Sequence, residues 1–202
     1  MTIRVLVADD QALVRQGLAA LLSLEADIDV VAEAADGLHA TQLVAEHSID
    51  VCLMDVQMPH LDGIAATKRI AETNPNCAVI IVTTFGRTGY LKQALAAGAR
   101  GFVVKDTPAA QLAEAIRKVH RGLRVVDPEL AAASLSEGTN PLSDREKEVL
   151  RHALTGDTVA AIAHTLHLTA GTVRNHLSSA IQKTGAINRV QAARTAAERG
   201  WL

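Results

Sequence analysis

Five short apolar runs alternate with longer segments of helical periodicity in the first part of the chain. The runs are rich in β-branched residues, and the segments between them place apolar residues three or four positions apart, with Gly or Pro near one end. The predicted strands are Ile3 to Ala8, Val30 to Ala34, Val51 to Met54, Ala78 to Val82 and Gly101 to Val104. Strands that alternate with helices over short connections form a parallel sheet covered on both faces. The sequence therefore predicts a doubly wound α/β domain around a five-stranded parallel sheet.

The charge of the chain differs between its two parts. Residues 1–141 hold 12 Lys and Arg against 17 Asp and Glu, a net charge of −5, whereas residues 142–202 hold 8 against 5, a net charge of +3. Between them, the stretch DPELAAASLSEGTNP interrupts the helical periodicity with Pro, Gly, Ser and Asn, as linkers do. We therefore predict a first domain, a linker and a second domain with a different partner. The predicted boundaries are 1–122, 123–137 and 138–202.

The composition favours a folded chain, with 49% apolar and 21% charged residues. The sequence contains no apolar run long enough to span a bilayer, and MTIRVLVADD reaches two aspartates too early for the apolar region of a signal peptide. We therefore expect a cytoplasmic protein without a membrane partner. Cys52 and Cys77 lie in apolar runs without metal-ligand spacing, which predicts buried, reduced thiols.

Polar residues follow four of the predicted strands at the point where each strand ends. They are Asp9 and Asp10 after the first strand, Asp55 after the third, Thr83 after the fourth and Lys105 after the fifth. In an open parallel sheet the functional crevice lies beyond the carboxyl ends of the strands, so we expect these groups to converge. Three carboxylates beside a lysine suit a hard divalent cation, most simply Mg²⁺. Next to such a cation, an ionised Asp55 can act as a nucleophile toward phosphorus.

Four segments of this domain resemble the receiver domain of bacterial two-component response regulators: VADD, LMDVQMP followed by DG, VTTF and GFVVKD. The similarity extends over about residues 3–121 and implies a flavodoxin-like fold. It implies that Asp55 is the phosphoacceptor. It further implies that Asp10, the Asp55 carboxylate and the Gln57 backbone carbonyl bind Mg²⁺, with Asp9 acting indirectly through water or orientation.

The same resemblance assigns three further residues. Thr83 matches the switch hydroxyl, Phe102 the switch aromatic and Lys105 the phosphate-binding lysine. The sequence departs from the family after that lysine, because Asp106 stands where many receivers have proline. A cis peptide bond at that place normally depends on the proline.

The second domain begins with a predicted helix and continues with a helix-turn-helix pattern. Ser143 and Glu146 have capping-box spacing ahead of an apolar helical face. Two further helical segments, VAAIAHTLHL and TVRNHLSSAIQKTG, are separated by a short break, as in a helix-turn-helix. The apolar stripe of the last segment leaves groups outward that can contact phosphates and base edges. The predicted DNA-contacting residues are Thr172, Arg174, Asn175, Ser178 and Lys183.

Three segments of the second domain resemble the LuxR-type DNA-binding domain: LSDREKEVL, GTVRNHLSSAIQKTG and NRVQAA. The whole chain is therefore similar to NarL/FixJ-type response regulators. Within that group, TTFGRTGY, NPLSDREKEVL, GTVRN and ERGW are most similar to a regulator of desaturase genes, which implies control of membrane-lipid genes. The sequence departs from the LuxR pattern at Val159, Ala160 and Ala161, where polar residues are usual, and at Thr184, where leucine is common.

These patterns together predict a phosphorylation-switched transcription regulator. A histidine kinase donates a phosphoryl group to Asp55, and the phosphorylated chain pairs into a homodimer that binds double-stranded promoter DNA. We expect no enzymatic turnover of an outside substrate, although the chain can dephosphorylate itself. Two alternatives are an aspartyl-phosphate phosphotransferase or phosphatase, and a receiver that acts mainly through protein contacts. Gln57 weighs against the first, since such enzymes commonly carry an acid there, and the second leaves the C-terminal domain without a use.

Overall fold

The computed structural model describes residues 2–84, 88–128, 130–132 and 140–202. Within this part the chain forms two compact units, an N-terminal α/β unit and a C-terminal helical unit. No described helix combines the length and the hydropathy that crossing a bilayer requires.

A parallel sheet forms the centre of the α/β unit, and its described strands follow the order β2-β1-β3-β4-β5-β6. The strands are β1 (Ile3–Ala8), β2 (Ile28–Ala34), β3 (Val51–Asp55), β4 (Ala78–Thr83), β5 (Gly101–Val104) and β6 (Val125–Val126). The predicted parallel sheet is confirmed, and the number of strands is corrected from five to six. The sixth strand lies inside the predicted linker, where Val125 pairs with Gly101 and Val126 with Phe102. Two residues are too few to show strand periodicity in a sequence.

Five described helices cover the two faces of this sheet. They are α1 (Ala12–Leu22), α2 (Gly37–Glu46), α3 (Gly63–Thr73), α4 (Thr88–Ala96) and α5 (Ala109–His120). One apolar cluster buries residues of α2, α3 and α4 against one face, and a second cluster buries residues of α1 and α5 against the other. Because both faces are covered, every residue of β3 and β4 is buried. Asp55, the last residue of β3, is therefore a buried carboxylate at the end of a central strand.

The helical unit contains α6 (Asp144–Leu154), α7 (Val159–Thr165), α8 (Ala170–Thr184) and α9 (Arg189–Glu198). Each helix begins after a residue whose side chain accepts a hydrogen bond from the backbone N–H three positions on, the usual N-cap. Small and branched apolar residues from all four helices form one core. Thr184 is buried in place of the leucine common in LuxR-type domains, and its hydroxyl donates to the Ala180 carbonyl at 2.8 Å. The buried hydroxyl is thereby satisfied within its own helix.

Candidate functional site

Three carboxylates meet at the carboxyl ends of β1 and β3. One ligand oxygen each from Asp9, Asp10 and Asp55 lies within 4.8 Å of the other two. Asp9 and Asp55 are buried, at 2% and 6% exposure, whereas Asp10 is exposed. The structure thus brings together the three acidic residues that the strand ends predict.

Lys105 closes the carboxylate cluster from the end of β5. Its ammonium nitrogen lies 2.6 Å from Asp9 Oδ2 and 3.2 Å from Asp55 Oδ2, and its side chain is 8% exposed. The Lys105 backbone N–H donates to the Thr83 carbonyl at 2.7 Å, which joins the end of β5 to the end of β4. Thr83 itself is buried at the last position of β4. All the polar strand ends named from the sequence therefore lie at one edge of the sheet.

Burial dominates the electrostatics of this site. It raises the pKa of Asp55 to about 6, and the charge on Asp9 adds to the increase, while Lys105 opposes it. Burial lowers the pKa of Lys105, but the carboxylates of Asp9 and Asp55 outweigh that effect and raise it overall. One ammonium thus contacts two of the three clustered carboxylates, and the charge of the buried Asp55 remains only partly compensated.

Backbone N–H groups bind one carboxylate oxygen each of Asp55 and Asp9 and so distinguish the two oxygens of each side chain. Val56 N–H donates to Asp55 Oδ1 at 2.8 Å, and Gln11 N–H donates to Asp9 Oδ1 at 2.9 Å. The Oδ2 atoms of both residues face Lys105. Gly63, the first residue of α3, packs so closely on the Asp55 carbonyl that a Cβ would overlap it. The backbone on both sides of Asp55 is therefore held by close packing.

Arg15 supports the loop that carries Asp9 and Asp10, and sequence reasoning missed it. Its Nη1 donates to the Asp9 carbonyl at 2.6 Å, and its Nε donates to Glu33 Oε2 at 3.2 Å. Arg15 is a helical residue that no motif singles out, and Glu33 comes from a different strand. Only the pairing of β1 with β2 brings these residues together.

The donor set fits Mg²⁺, which prefers carboxylate oxygens and retained waters. The three carboxylates offer oxygens at mutually close positions, and exposure of Asp10 leaves one side of the cluster open to water. Asp9 Oδ2 lies closer to the Lys105 ammonium than Asp55 Oδ2 does, at 2.6 Å against 3.2 Å, and the indirect role of Asp9 stays a prediction. Gln57 is exposed two positions beyond β3. That its backbone carbonyl binds Mg²⁺ stays a prediction.

Phe102 lies away from solvent in the core of the α/β unit. It is fully buried in β5, opposite Ile81 of β4, so its position alone is that of an ordinary core residue. Its role as a switch aromatic stays a prediction. The peptide bond between Lys105 and Asp106 is trans.

The second candidate site is the outer face of α8. Arg174, Asn175 and Ser178 are exposed, on the side opposite the buried Val173 and Leu177. This arrangement leaves a guanidinium, an amide and a hydroxyl free to face a partner.

Two of the predicted DNA-contacting residues have partners within the helical unit. Thr172 is half-buried, and its hydroxyl is 2.9 Å from that of Thr169, the N-cap of α8. The Lys183 ammonium contacts both carboxylate oxygens of Glu146, at 2.9 and 2.7 Å. Their contacts to DNA stay predictions. Sequence reasoning found Glu146 only as a capping residue and missed its contact with α8.

Comparisons with known proteins agree with this two-unit organisation. Residues 5–117 match the response regulator receiver domain, and residues 140–196 match the bacterial regulatory proteins of the luxR family. The transcriptional regulatory protein DesR of Bacillus subtilis is 41% identical over 200 residues, which cover 99% of each chain. The uncharacterized transcriptional regulatory protein YvfU of the same species is 42% identical over 99% of this chain and 100% of its own.

Solved structures of similar chains include two response regulators. Response regulator ChrA, from a heme-sensing two-component system, has a TM-score of 0.60 and 35% identity, covering 100% of this chain and 99% of its own. The RcsB–DNA complex has a TM-score of 0.68 and 26% identity, covering 98% and 99%. Fold and matches together define a receiver domain followed by a LuxR-type DNA-binding domain. The chain belongs to the NarL/FixJ-type response regulators, the transcription regulators of two-component systems.

Proposed function

We propose that this regulator is switched by transfer of a phosphoryl group from a histidine kinase to Asp55. The observation that carries the proposal is the placement of the Asp55 carboxylate, buried at a strand end beside Asp9 and Asp10 and 3.2 Å from the Lys105 ammonium. A carboxylate is held in such a costly position when it is used.

The geometry distinguishes the two oxygens of Asp55. Oδ1 accepts the Val56 N–H, so Oδ2 is the oxygen that attacks phosphorus. As the Oδ2–P bond forms, the bond from phosphorus to the kinase histidine nitrogen breaks, and the product is an acyl phosphate on Asp55. Lys105, already 3.2 Å from Oδ2, pairs with the oxygens of the incoming phosphoryl group. Once the Oδ2–P bond has formed, the other oxygen of Asp55 is a neutral carbonyl, and the carboxylate charge is gone.

Asp10, the Asp55 carboxylate and the Gln57 backbone carbonyl would hold Mg²⁺, with Asp9 acting indirectly. When bound, Mg²⁺ neutralises charge on the carboxylates and on the phosphoryl oxygens. Asp10 is suited to be a direct ligand because it is exposed.

Thr83 and Phe102 form the proposed switch. Thr83 ends β4 beside the carboxylate cluster, and its backbone carbonyl already accepts a hydrogen bond from Lys105. In this proposal its hydroxyl follows a phosphoryl group on Asp55. Phe102 lies on the adjacent strand β5, opposite Ile81 of β4. A movement of the end of β4 therefore changes the contacts that the Phe102 ring makes.

We further propose that phosphorylated chains bind promoter DNA as a homodimer in the cytoplasm, through Arg174, Asn175 and Ser178. The DNA-binding unit carries a net charge of only +3 over residues 142–202, so one unit makes few phosphate contacts and binds weakly. Pairing two units raises their effective concentration at neighbouring half-sites. We also propose control of membrane-lipid desaturase genes, on the resemblance of TTFGRTGY, NPLSDREKEVL, GTVRN and ERGW. Residues 85–87 of the first segment lie outside the described residues.

The test compares DNA affinity with and without a small phosphodonor. Full-length protein is incubated with acetyl phosphate and Mg²⁺, and binding is measured on duplexes that the wild type selects from a random pool. Wild-type affinity should rise, whereas Asp55→Ala protein should not respond. Asp29→Ala is the matched control, because Asp29 is an exposed carboxylate of β2. An Asp55→Ala protein that responds like the wild type would refute the switch.

The same samples address turnover. We propose that the chain is not an enzyme for outside substrates, since Gln57 offers no acid beside Asp55. Catalytic release of phosphate from an added phosphate ester, abolished by Asp55→Ala, would instead support the phosphatase alternative.

A further inference from the structure

Glu146 is a buried carboxylate that joins the first helix of the DNA-binding unit to α8. It is 4% exposed. Its Oε2 accepts the Ser143 N–H at 2.6 Å and so caps its own helix. Its Oε1 accepts the Ser179 hydroxyl at 2.6 Å, and both oxygens contact the Lys183 ammonium, at 2.9 and 2.7 Å. One side chain thus connects the start of α6 with two residues of α8.

This connection is strong enough to hold a buried charge. Burial alone raises the pKa of Glu146, but the bonds from Lys183, Ser179 and Ser143 outweigh burial and lower the pKa to about 2. A buried carboxylate with every oxygen paired resists displacement, because breaking one pair leaves an uncompensated charge. Glu146 therefore stays ionised and paired whenever the unit is folded near neutral pH.

The placement of its partners restrains rotation of α8. Ser179 and Lys183 are four positions apart, so they lie one above the other on the same side of the helix. The remaining contacts of α8 with the core come from apolar residues such as Val173 and Leu177, and apolar packing is non-directional. The polar contact is directional, and it adds a restraint on rotation of α8 to the apolar packing.

We propose that Glu146 is the positioning residue of α8, and that Lys183 serves this contact instead of binding DNA phosphates. The proposal rests on the role of α8 as the DNA-reading helix. Because Glu146 neutralises the Lys183 charge, this lysine releases few counterions when the unit binds DNA. Ser179 and Lys183 continue the row of Asn175 at four-residue spacing, so Glu146 holds the helix beside its proposed DNA-facing side. Arg174, Asn175 and Ser178 then meet DNA in the correct register only while this contact is intact.

The experiment measures specificity and salt dependence in the full-length chain. The probes are a duplex that the wild type selects from a random pool and a scrambled duplex of equal length and composition. The variants are Glu146→Gln, Lys183→Met and the conservative Lys183→Arg. Glu148→Gln is the matched control, because Glu148 lies on the same helix and its ion pair among the described residues is with the exposed Arg145.

We expect Glu146→Gln and Lys183→Met each to lower the ratio of selected to scrambled affinity about tenfold, the effect of roughly one mismatched base pair. Lys183→Met should leave the salt slope unchanged, and the double variant should lose little more than either single variant, because both break one contact. Lys183→Arg and Glu148→Gln should keep the wild-type ratio.

Different outcomes overturn the inference. If Lys183→Met weakens both duplexes equally and lowers the salt slope by about one unit per protomer, Lys183 binds phosphate and does not position the helix. An unchanged ratio of selected to scrambled affinity in folded Glu146→Gln protein would show that Glu146 does not position α8. Folding is verified by circular dichroism. If Glu146→Gln unfolds, the test is whether Lys183→Met lowers the ratio of selected to scrambled affinity while Lys183→Arg keeps it. A wild type that selects no duplex would refute the DNA-reading role itself, and the positioning role with it.

Discussion

The Lys105 ammonium lies closer to Asp9 than to Asp55, at 2.6 Å from one carboxylate and 3.2 Å from the other. Lys105 therefore neutralises Asp9 more fully, and the buried Asp55 keeps a carboxylate whose pKa is raised to about 6. Burial, which Lys105 only partly offsets, thus imposes an electrostatic cost on the residue that we propose as phosphoacceptor. The cost can be measured as the free energy of unfolding gained when the Asp55 charge is removed.

Replacing Asp55 with Asn should stabilise the receiver in the absence of Mg²⁺. The pKa of Asp55 is raised from 3.8 to about 6 in the folded chain, so the folded state holds its proton over this interval while the unfolded state does not. Stability therefore falls as pH rises between these values and stays low above them. At about pH 8, Asp55→Asn should gain roughly 1 to 3 kcal/mol.

Urea unfolding followed by hydrogen exchange in peptides from β3 and β4 measures this gain in the receiver alone. Asp29→Asn serves as the control, since it removes an exposed carboxylate of β2. Equal or lower stability of Asp55→Asn at this pH would contradict the electrostatic cost.

Mg²⁺ should relieve the same cost in the wild type. A ligand that binds only the folded state raises stability with its concentration. We expect Mg²⁺ to protect the β3 and β4 peptides of the wild type and to have much less effect on Asp10→Ala, which loses an exposed ligand of the cluster. Asp29→Ala should respond like the wild type. Protection of Asp10→Ala at the same Mg²⁺ concentrations would show that the cation binds elsewhere.

Much of this site could be predicted from the sequence because a simple rule governs parallel sheets. Each polar residue follows an apolar run, and the carboxyl ends of parallel strands share one edge. Asp9, Asp55 and Lys105 therefore meet as the strand pattern predicts. The short strand β6 could not be predicted, because its two valines pair with a strand more than twenty positions earlier.

Polar contacts between residues far apart in the chain could not be predicted from the sequence either. Lys183 has the spacing of an outward residue near the end of α8, and nothing local reveals that Glu146, on a different helix, holds its ammonium. The capping-box pattern identified Glu146 for its local bond with Ser143 only. Helical periodicity predicts which side of a helix is buried, but it does not predict which charged residues pair across helices.

The Glu146 contacts predict how the helical unit responds to acid. The pKa of Glu146 is lowered from 4.5 to about 2, so its contribution to stability is present above the higher value and is lost as pH falls toward the lower one. Glu146→Gln should be less stable near neutral pH by about 2 kcal/mol, and it should lose less stability over the acidic interval.

Fluorescence of Trp201 reports this transition, because it is the single tryptophan of the chain and packs against the helical core. Glu148→Gln should keep the wild-type acid profile, since Glu148 is only half-buried and, in the described part of the chain, forms its ion pair with the exposed Arg145. A Glu146→Gln profile that parallels the wild type throughout would mean that the contacts contribute nothing.

Arg174 and Asn175 should affect DNA binding differently. If the Asn175 amide reads a base edge, Asn175→Ala should cost roughly 1 to 3 kcal/mol at the selected site and relax discrimination there, without changing the salt slope. If the Arg174 guanidinium contacts a phosphate, Arg174→Ala should weaken all duplexes similarly and lower the slope by about one unit per protomer.

Both variants must first show normal folding, because the neighbouring Val173 is fully buried. Gln42→Ala offers a control from an exposed position on α2 of the receiver. If neither substitution changes affinity, specificity or salt slope in folded protein, α8 does not read the DNA.

The most direct test of the central proposal is covalent labelling of the intact chain. Wild-type protein incubated with acetyl phosphate and Mg²⁺ should gain one phosphoryl group by mass spectrometry, and the modified peptide should contain Asp55. Asp55→Ala should gain none, Asp10→Ala should be labelled far more weakly, and Asp29→Ala should match the wild type. A stable acyl phosphate on folded Asp55→Ala protein would contradict the assignment of Asp55 as the phosphoacceptor.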